Sequence, residues 1–119
     1  MDLGKMVSTL KEHPESHRIG MIVSHLGIVR GTSRDGSDVT EIDVFYDHNT
    51  LNKIINDIKN MPGIIDVIVD VSEGRLDIGA DILAVVMGGD IRENVFPALM
   101  TAVNRIKAEA VEKKEFFGS

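Results

Sequence analysis

Six consecutive apolar residues, Ile82-Leu83-Ala84-Val85-Val86-Met87, constrain the fold of this chain more than any other segment. A strand covered on both faces reads as an unbroken apolar run, whereas a half-wet strand alternates. The run is far too short to span a bilayer and stops at Gly88-Gly89-Asp90, so it is read as the central strand of a sheet. Three further segments carry strand patterns. Residues 19–30 are rich in Ile and Val; residues 39–47 alternate, with Glu41 and Asp43 opposite Ile42, Val44 and Tyr46; residues 64–71 set Asp66 and Asp70 against Ile65, Val67, Val69 and Val71.

Helical spacing accounts for most of the remainder. Leu51, Ile54, Ile55, Ile58 and Met61 recur at the intervals of one helix face, after Asn49 or Thr50 as N-cap and before Pro62-Gly63 as stop. Residues 5–13 predict a short helix that ends before Pro14, with Met6, Val7 and Leu10 on one side. A last helix opens at Gly-Gly-Asp, where Asp90 and Glu93 have capping-box spacing, and turns Leu99, Val103, Ile106 and Ala110 inward. Pro97 marks its early turns or a kink. Residues 31–38, "GTSRDGSD", read as an exposed loop, and Gly74 and Gly79 supply turns. The predicted order is α-β-β-α-β-β-α. Short connections between neighbouring strands imply antiparallel pairing, so a single α+β domain over residues 1–119 is expected rather than a doubly wound parallel sheet.

Composition narrows the function classes. The chain has no Cys, so no disulfide, thiolate-bound metal or thiol nucleophile comes from it, and any sulfur chemistry draws on another molecule. Thirteen Lys and Arg face nineteen Asp and Glu, a net charge of −6 that argues against broad nucleic-acid or anionic-membrane binding. No leader pattern or spanning run is present, and a cytoplasmic protein is expected. The charge is uneven: residues 1–90 hold 8 basic against 15 acidic side chains, residues 91–119 hold 5 against 4. An anion would meet the last quarter.

Lys107 and Lys114 stand seven residues apart and, on a continuing helix, project from nearly one face with Lys113 beside them. Cations at a helix C-terminus commonly sit in water and favour the macrodipole; the sharper reading is an anion pocket in which one Lys shuttles a proton while the other holds phosphate or an oxyanion. Arg30 follows an apolar strand. Arg92, in the first turn of the last helix, opposes the dipole there and is therefore a candidate for gripping phosphate or carboxylate. Pro14 separates His13 from His17, so no two-His metal face is expected, and His25, within an apolar strand, reads as a hydrogen-bonded core residue. Asp66 and Asp70 read as the wet face of a strand, and residues 30–38 lack the Gly-Lys-Ser/Thr of a phosphate-binding P-loop.

Four segments in register, "GMIVSHLGIVRG", "GRLDIGADI", "DIRENVFPAL" and "RIKAEAVEKKE", resemble the large, catalytic subunit of molybdopterin synthase from about Gly20 to Glu115. The resemblance implies an α/β hammerhead-like α+β domain that dimerises and binds a small ubiquitin-like sulfur-carrier subunit. The carrier's C-terminal Gly-Gly thiocarboxylate then gives sulfur twice to cyclic pyranopterin monophosphate, forming molybdopterin. By this resemblance Lys107 is the principal catalytic Lys and Lys114 the second, with Lys113 taking that role if one gap is allowed. Arg30 and Arg92 are the substrate and phosphate-side Arg, flanked on the substrate side by Ile28, Val29, Ile91, Lys113 and Glu115. No metal and no cofactor is implied. The chain departs from the family pattern at Ile91, where a His is usual, at His25, where an aromatic is usual, and after Phe117, where little of a C-terminal extension follows. Two alternatives stand beside this reading: a divergent relative that binds the carrier without catalysis, and a ferredoxin-like regulatory domain built on residues 44–69 that binds a small ligand or metal.

Overall fold

The computed structural model describes residues 1–118. Helix α1 (Leu3–Lys11) is capped by Asp2, whose Oδ1 accepts from the Lys5 N–H at 2.9 Å, and it ends ahead of Pro14 as expected. A 3₁₀ turn (Ser16–Arg18) leads to β1 (Met21–Ile28), followed by β2 (Val39–Tyr46), α2 (His48–Lys59), β3 (Ile64–Val71), β4 (Gly74–Asp77) and β5 (Asp81–Gly89). Helix α3 (Arg92–Arg105) then widens into a π turn (Ile106–Ala110) and runs directly into β6 (Val111–Phe117). No described helix is long and apolar enough to cross a membrane.

Two three-stranded antiparallel sheets result, ordered β1-β5-β3 and β4-β2-β6. The unbroken apolar run is the central strand β5, and the two cores show why it does not alternate. Ala84 and Val86 pack on Met6 and Leu10 of α1. Leu83, Val85 and Met87, on the other face, join a larger core with Leu51, Ile54 and Ile58 of α2 and Val95, Ala98 and Ala102 of α3. Helices cover both faces of one strand, so every side chain along it is apolar. Leu10 and Ile54 are at most 1% exposed, and truncating either to Ala costs about 2–5 kcal/mol.

The α+β class and antiparallel pairing stand; the element order gains two strands. β4 forms within a segment read as turns, and β6 within a segment read as the continuation of the last helix. Two caps also differ. Asp47 caps α2, accepting from the Thr50 N–H at 3.1 Å, because its extended backbone (φ −79°, ψ 101°) aims the carboxylate at the first turn. Asp90 does not cap α3: its Oδ1 takes the Ile91 N–H at 2.6 Å and the Asn94 amide at 2.9 Å, and Ile91 occupies the N-cap position without a side-chain bond. The strand–helix–strand unit behind the ferredoxin-like alternative is divided, with β2 in one sheet and β3 in the other. A strand, β6, follows the last helix, as that alternative would require.

Candidate functional site

Three local structures bring charged side chains together. The first is the end of β1. Val29 is buried at 4% exposure and pinned at both backbone groups: its N–H donates to the Ala80 carbonyl at 2.9 Å, and its carbonyl accepts from the Gly79 N–H at 2.7 Å. Gly79 supplies that donor at φ +87°, a left-handed conformation that glycine adopts without penalty. Arg30 therefore leaves from a fixed backbone. Beyond it, residues 31–38 close through a Thr32–Asp38 bridge, and the Asp35 carboxylate accepts from the Ser33 hydroxyl and from the Ser37 N–H at 2.9 Å. Those bonds hold its pKa down at about 2. This tied loop carries Thr32 and Arg34.

The second is the π turn. Ile106 and Ala110 are buried, at 1% and 3%, and the Ala110 carbonyl accepts from the Asp47 N–H at 2.8 Å. Arg105 braces the turn from outside, donating to Glu109 and to Asp57 of α2, each at 2.8 Å. Those two bonds push the guanidinium pKa up and those of both carboxylates down. Lys107 projects from the braced turn and is exposed. The third is β6, where alternation puts Val111, Lys113 and Glu115 on the inner face of the sheet, paired in register with Tyr46, Val44 and Ile42 of β2.

These pieces wall a cleft of ≈ 690 Å³ between the two sheets, with His25, Gly27 and Ile28 of β1 and Ile82 and Leu83 of β5 on the opposite side. Its volume falls within the range of small-molecule sites. Arg30, Arg34, Lys107 and Lys113 line it against one carboxylate, Glu115. Among the described residues none of the four cations makes an ion pair, although Arg18, Lys59, Arg75, Arg92 and Arg105 each do. Four uncompensated cations in a cleft of an acidic chain concentrate positive potential there. A second hollow of ≈ 420 Å³, between α1 and β1, has Lys11 as its one ionisable lining residue and offers no comparable chemistry.

Of the residues singled out in the sequence, the cleft gathers Ile28, Val29, Arg30, Lys107, Lys113 and Glu115. Lys114 is not among its walls. It lies on the outer face of β6, its Nζ 5.2 Å from the centre of the Phe116 ring. The helix that would have set it beside Lys107 has already ended. Ile91 and Arg92 are also elsewhere, at the opposite end of α3, about 20 Å along the helix axis from Lys107. There the Arg92 side chain is 78% exposed and its Nε donates to Glu93 at 3.2 Å.

Sequence reasoning missed Thr32, Arg34, Tyr46 and His25 as cleft residues. Tyr46 was legible as inward-facing, from its alternation with Ile42 and Val44. Its hydroxyl donates to the Ile82 carbonyl at 3.3 Å, and burial, then the nearby Glu73 carboxylate, push its pKa up to about 12. His25 is not the hydrogen-bonded core residue expected: Nε2 is shut off from water without a partner among the described residues. Burial, and then the Lys107 ammonium, lower its pKa.

An α+β domain with two antiparallel sheets has a cleft between them lined by four cations, a lining suited to a small anionic molecule. The particular family follows from comparison: residues 1–109 match the model of the MoaE protein family, and the chain belongs to that family. A molybdopterin biosynthesis MoaE protein from Burkholderia ambifaria is similar at 26% identity over 97% of this chain and 76% of that one, with TM-score 0.78. Molybdopterin synthase from Staphylococcus aureus matches at 21% identity over 90% and 86%, with TM-score 0.72. A complex of subunits 1 and 2 of molybdopterin-converting factor from Helicobacter pylori matches at 18% over 98% and 80%, also at 0.72. The last two share the fold. A comparison with curated proteins finds no match. Arg30 and Lys107 lie within the family match, Lys113 and Glu115 beyond it.

Proposed function

We propose that this chain is the large subunit of a molybdopterin synthase, transferring sulfur from the C-terminal thiocarboxylate of a small ubiquitin-like carrier to cyclic pyranopterin monophosphate in the cleft of Arg30, Arg34, Lys107 and Lys113. Family membership supports the role in molybdopterin biosynthesis. The observation that carries the finer reading is the set of four unpaired cations around one small-molecule cleft. Both reactants are anions, and each needs a cation.

The division of labour follows from the chemistry. Guanidinium groups make paired, planar hydrogen bonds to phosphate, so Arg30, fixed by the buried Val29, and Arg34, on the tied loop, hold the phosphate. The thiocarboxylate sulfur displaces an oxygen of the substrate, which leaves with a proton supplied by Lys107 on its braced turn; a water molecule then cleaves the acyl–sulfur bond, releasing the carrier as its carboxylate and leaving the sulfur on the substrate. Entry of the carrier's tail over the exposed Lys107 displaces bulk solvent and strengthens the charge interactions there. Lys113 faces the incoming thiocarboxylate from the cleft wall.

Arg92 and Ile91 cannot reach the cleft of their own chain, since α3 separates them from Lys107. In a homodimer they would complete the cleft of the other copy. Each site of such a homodimer would draw Lys107 from one copy and Arg92 from its partner.

Reconstitution tests the reading. This protein, a thiocarboxylated carrier and cyclic pyranopterin monophosphate are combined, and molybdopterin is measured as its fluorescent oxidation product. Product is expected with the wild type. Lys107→Ala is expected to lose about 10²–10⁴-fold in rate, with the fold intact. Full turnover by Lys107→Ala removes Lys107 from the mechanism, and no product from the wild type refutes the synthase reading.

A further inference from the structure

His25 is a half-buried titratable group for which neither the fold nor the proposed proton transfer has a use. Its ring lines the cleft from β1, opposite Val85 of β5, while Nε2 has neither water contact nor a protein partner among the described residues. An unpaired polar atom out of water is a cost to the free protein, and evenly packed cores avoid it. A Phe or Leu at this position would carry no such cost.

Gly27 supplies a second observation. It lies in β1 without a left-handed backbone, so nothing in its conformation demands glycine. A Cβ there would stand 3.1 Å from Ile82 Cγ2 and 3.5 Å from His25 Nε2. Any larger residue would fill the space beside the ring. The missing side chain keeps open the patch of cleft wall in front of the imidazole, and rotation about its Cβ–Cγ bond, a soft torsion, presents Nε2 to that space.

We propose that His25 is a substrate-contacting residue that hydrogen-bonds, through Nε2, an uncharged polar atom on the heterocycle of the molecule held in the cleft. The proposal rests on the reading of the cleft as the site of cyclic pyranopterin monophosphate. The four cations suit the anionic parts of the reactants; a heterocycle with ring nitrogens and a carbonyl needs neutral partners as well, and His25 sits among the apolar and glycine positions Gly27, Ile28 and Ile82. The lowered pKa fits this role, since an uncharged imidazole offers one N–H and one lone pair. Lys107 from the π turn is the charge that presses on it; Arg30, Lys113 and Glu115 share the cleft from β1's end and β6. Because the contact exists only in the complex, it adds affinity without adding stability to the free protein.

The test is calorimetric titration of cyclic pyranopterin monophosphate into the full chain, for the wild type, His25→Phe, His25→Gln and Gly27→Ala, beside the melting temperature of each free protein. His25→Phe is expected to melt no lower than the wild type, yet to bind about tenfold more weakly. His25→Gln, which keeps a polar group on the cleft wall, recovers part of that loss, and Gly27→Ala weakens binding with His25 still present. Equal affinity of His25→Phe and wild type overturns the proposal, whereas no binding by the wild type overturns the cleft reading and this proposal with it. Should His25→Phe fail to fold, ¹⁵N-imidazole NMR of the wild type decides: the Nε2 resonance moves on adding the ligand if the contact forms, and stays in place if it does not.

Discussion

The two faces of the β4-β2-β6 sheet treat the same residue types in opposite ways. On the outer face, Arg75 pairs with Glu41 and lies 4.0 Å from the centre of the Phe116 ring, and Lys114 stands over the same ring. Arg75 there has an ion pair, and Lys114, without one among the described residues, stands over an aromatic ring. On the inner face, one residue away along β6, Lys113 has no ion pair and shares a cleft with Arg30, Arg34 and Lys107. Neighbouring lysines of one strand thus differ in what surrounds them rather than in type. The outer face compensates its own charge, as solvated sheet surfaces do; the inner one leaves positive charge for something that arrives.

Charge reversal breaks this comparison most forcefully. Lys113→Glu is expected to weaken binding of cyclic pyranopterin monophosphate or of the thiocarboxylated carrier by about 100-fold, whereas Lys114→Glu leaves both within about twofold; calorimetry on the pair measures the difference. Equal losses would show that the outer face takes part.

The dimer gives a smaller effect of distinctive form. Lys107→Ala and Arg92→Ala proteins, each nearly inactive alone, are mixed and allowed to exchange subunits. If each site takes one residue from each copy, half the dimers are mixed and one of their two sites is intact, so about a quarter of wild-type activity returns. No recovery after demonstrated exchange would confine the site to a single chain.

Least in size is an acid effect on the outer face. The Arg75 guanidinium holds the Glu41 carboxyl below its usual range, so folding gains from the ionised form above the unfolded pKa of about 4.3 and loses that gain as pH falls. Arg75→Ala should flatten the acid limb of melting temperature against pH without changing anion affinity. An unchanged acid limb would show the pair to be idle.

The sequence made the scaffold legible and the site only in part. The apolar run of β5 and the stripe Leu51, Ile54, Ile58 of α2 announce themselves because burial on those faces is complete. β6 was hidden because its inner face borders the cleft. Its inner face carries Val111, Lys113 and Glu115, and a strand whose inner face borders a wet cleft lacks the apolar alternation by which strands are recognised. The seven-residue spacing of Lys107 and Lys114 looked helical, but the π turn ends the helix between them, and that turn is set by long-range bonds, Arg105 to Asp57 and Asp47 to Ala110. No local pattern encodes those. Arg30 was visible as a cation closing an apolar strand, whereas Arg34, Thr32 and His25 reach the cleft through tertiary placement alone.

The central claim, that the unpaired cations of the cleft form the anion site, is tested most directly by a two-dimensional NMR titration of the ¹⁵N-labelled chain with cyclic pyranopterin monophosphate. The account predicts saturable shifts at Arg30, Arg34, Lys107, Lys113 and Glu115, with Glu41, Arg75 and Lys114 unmoved. Shifts centred on the outer face, or none at millimolar ligand, would contradict it.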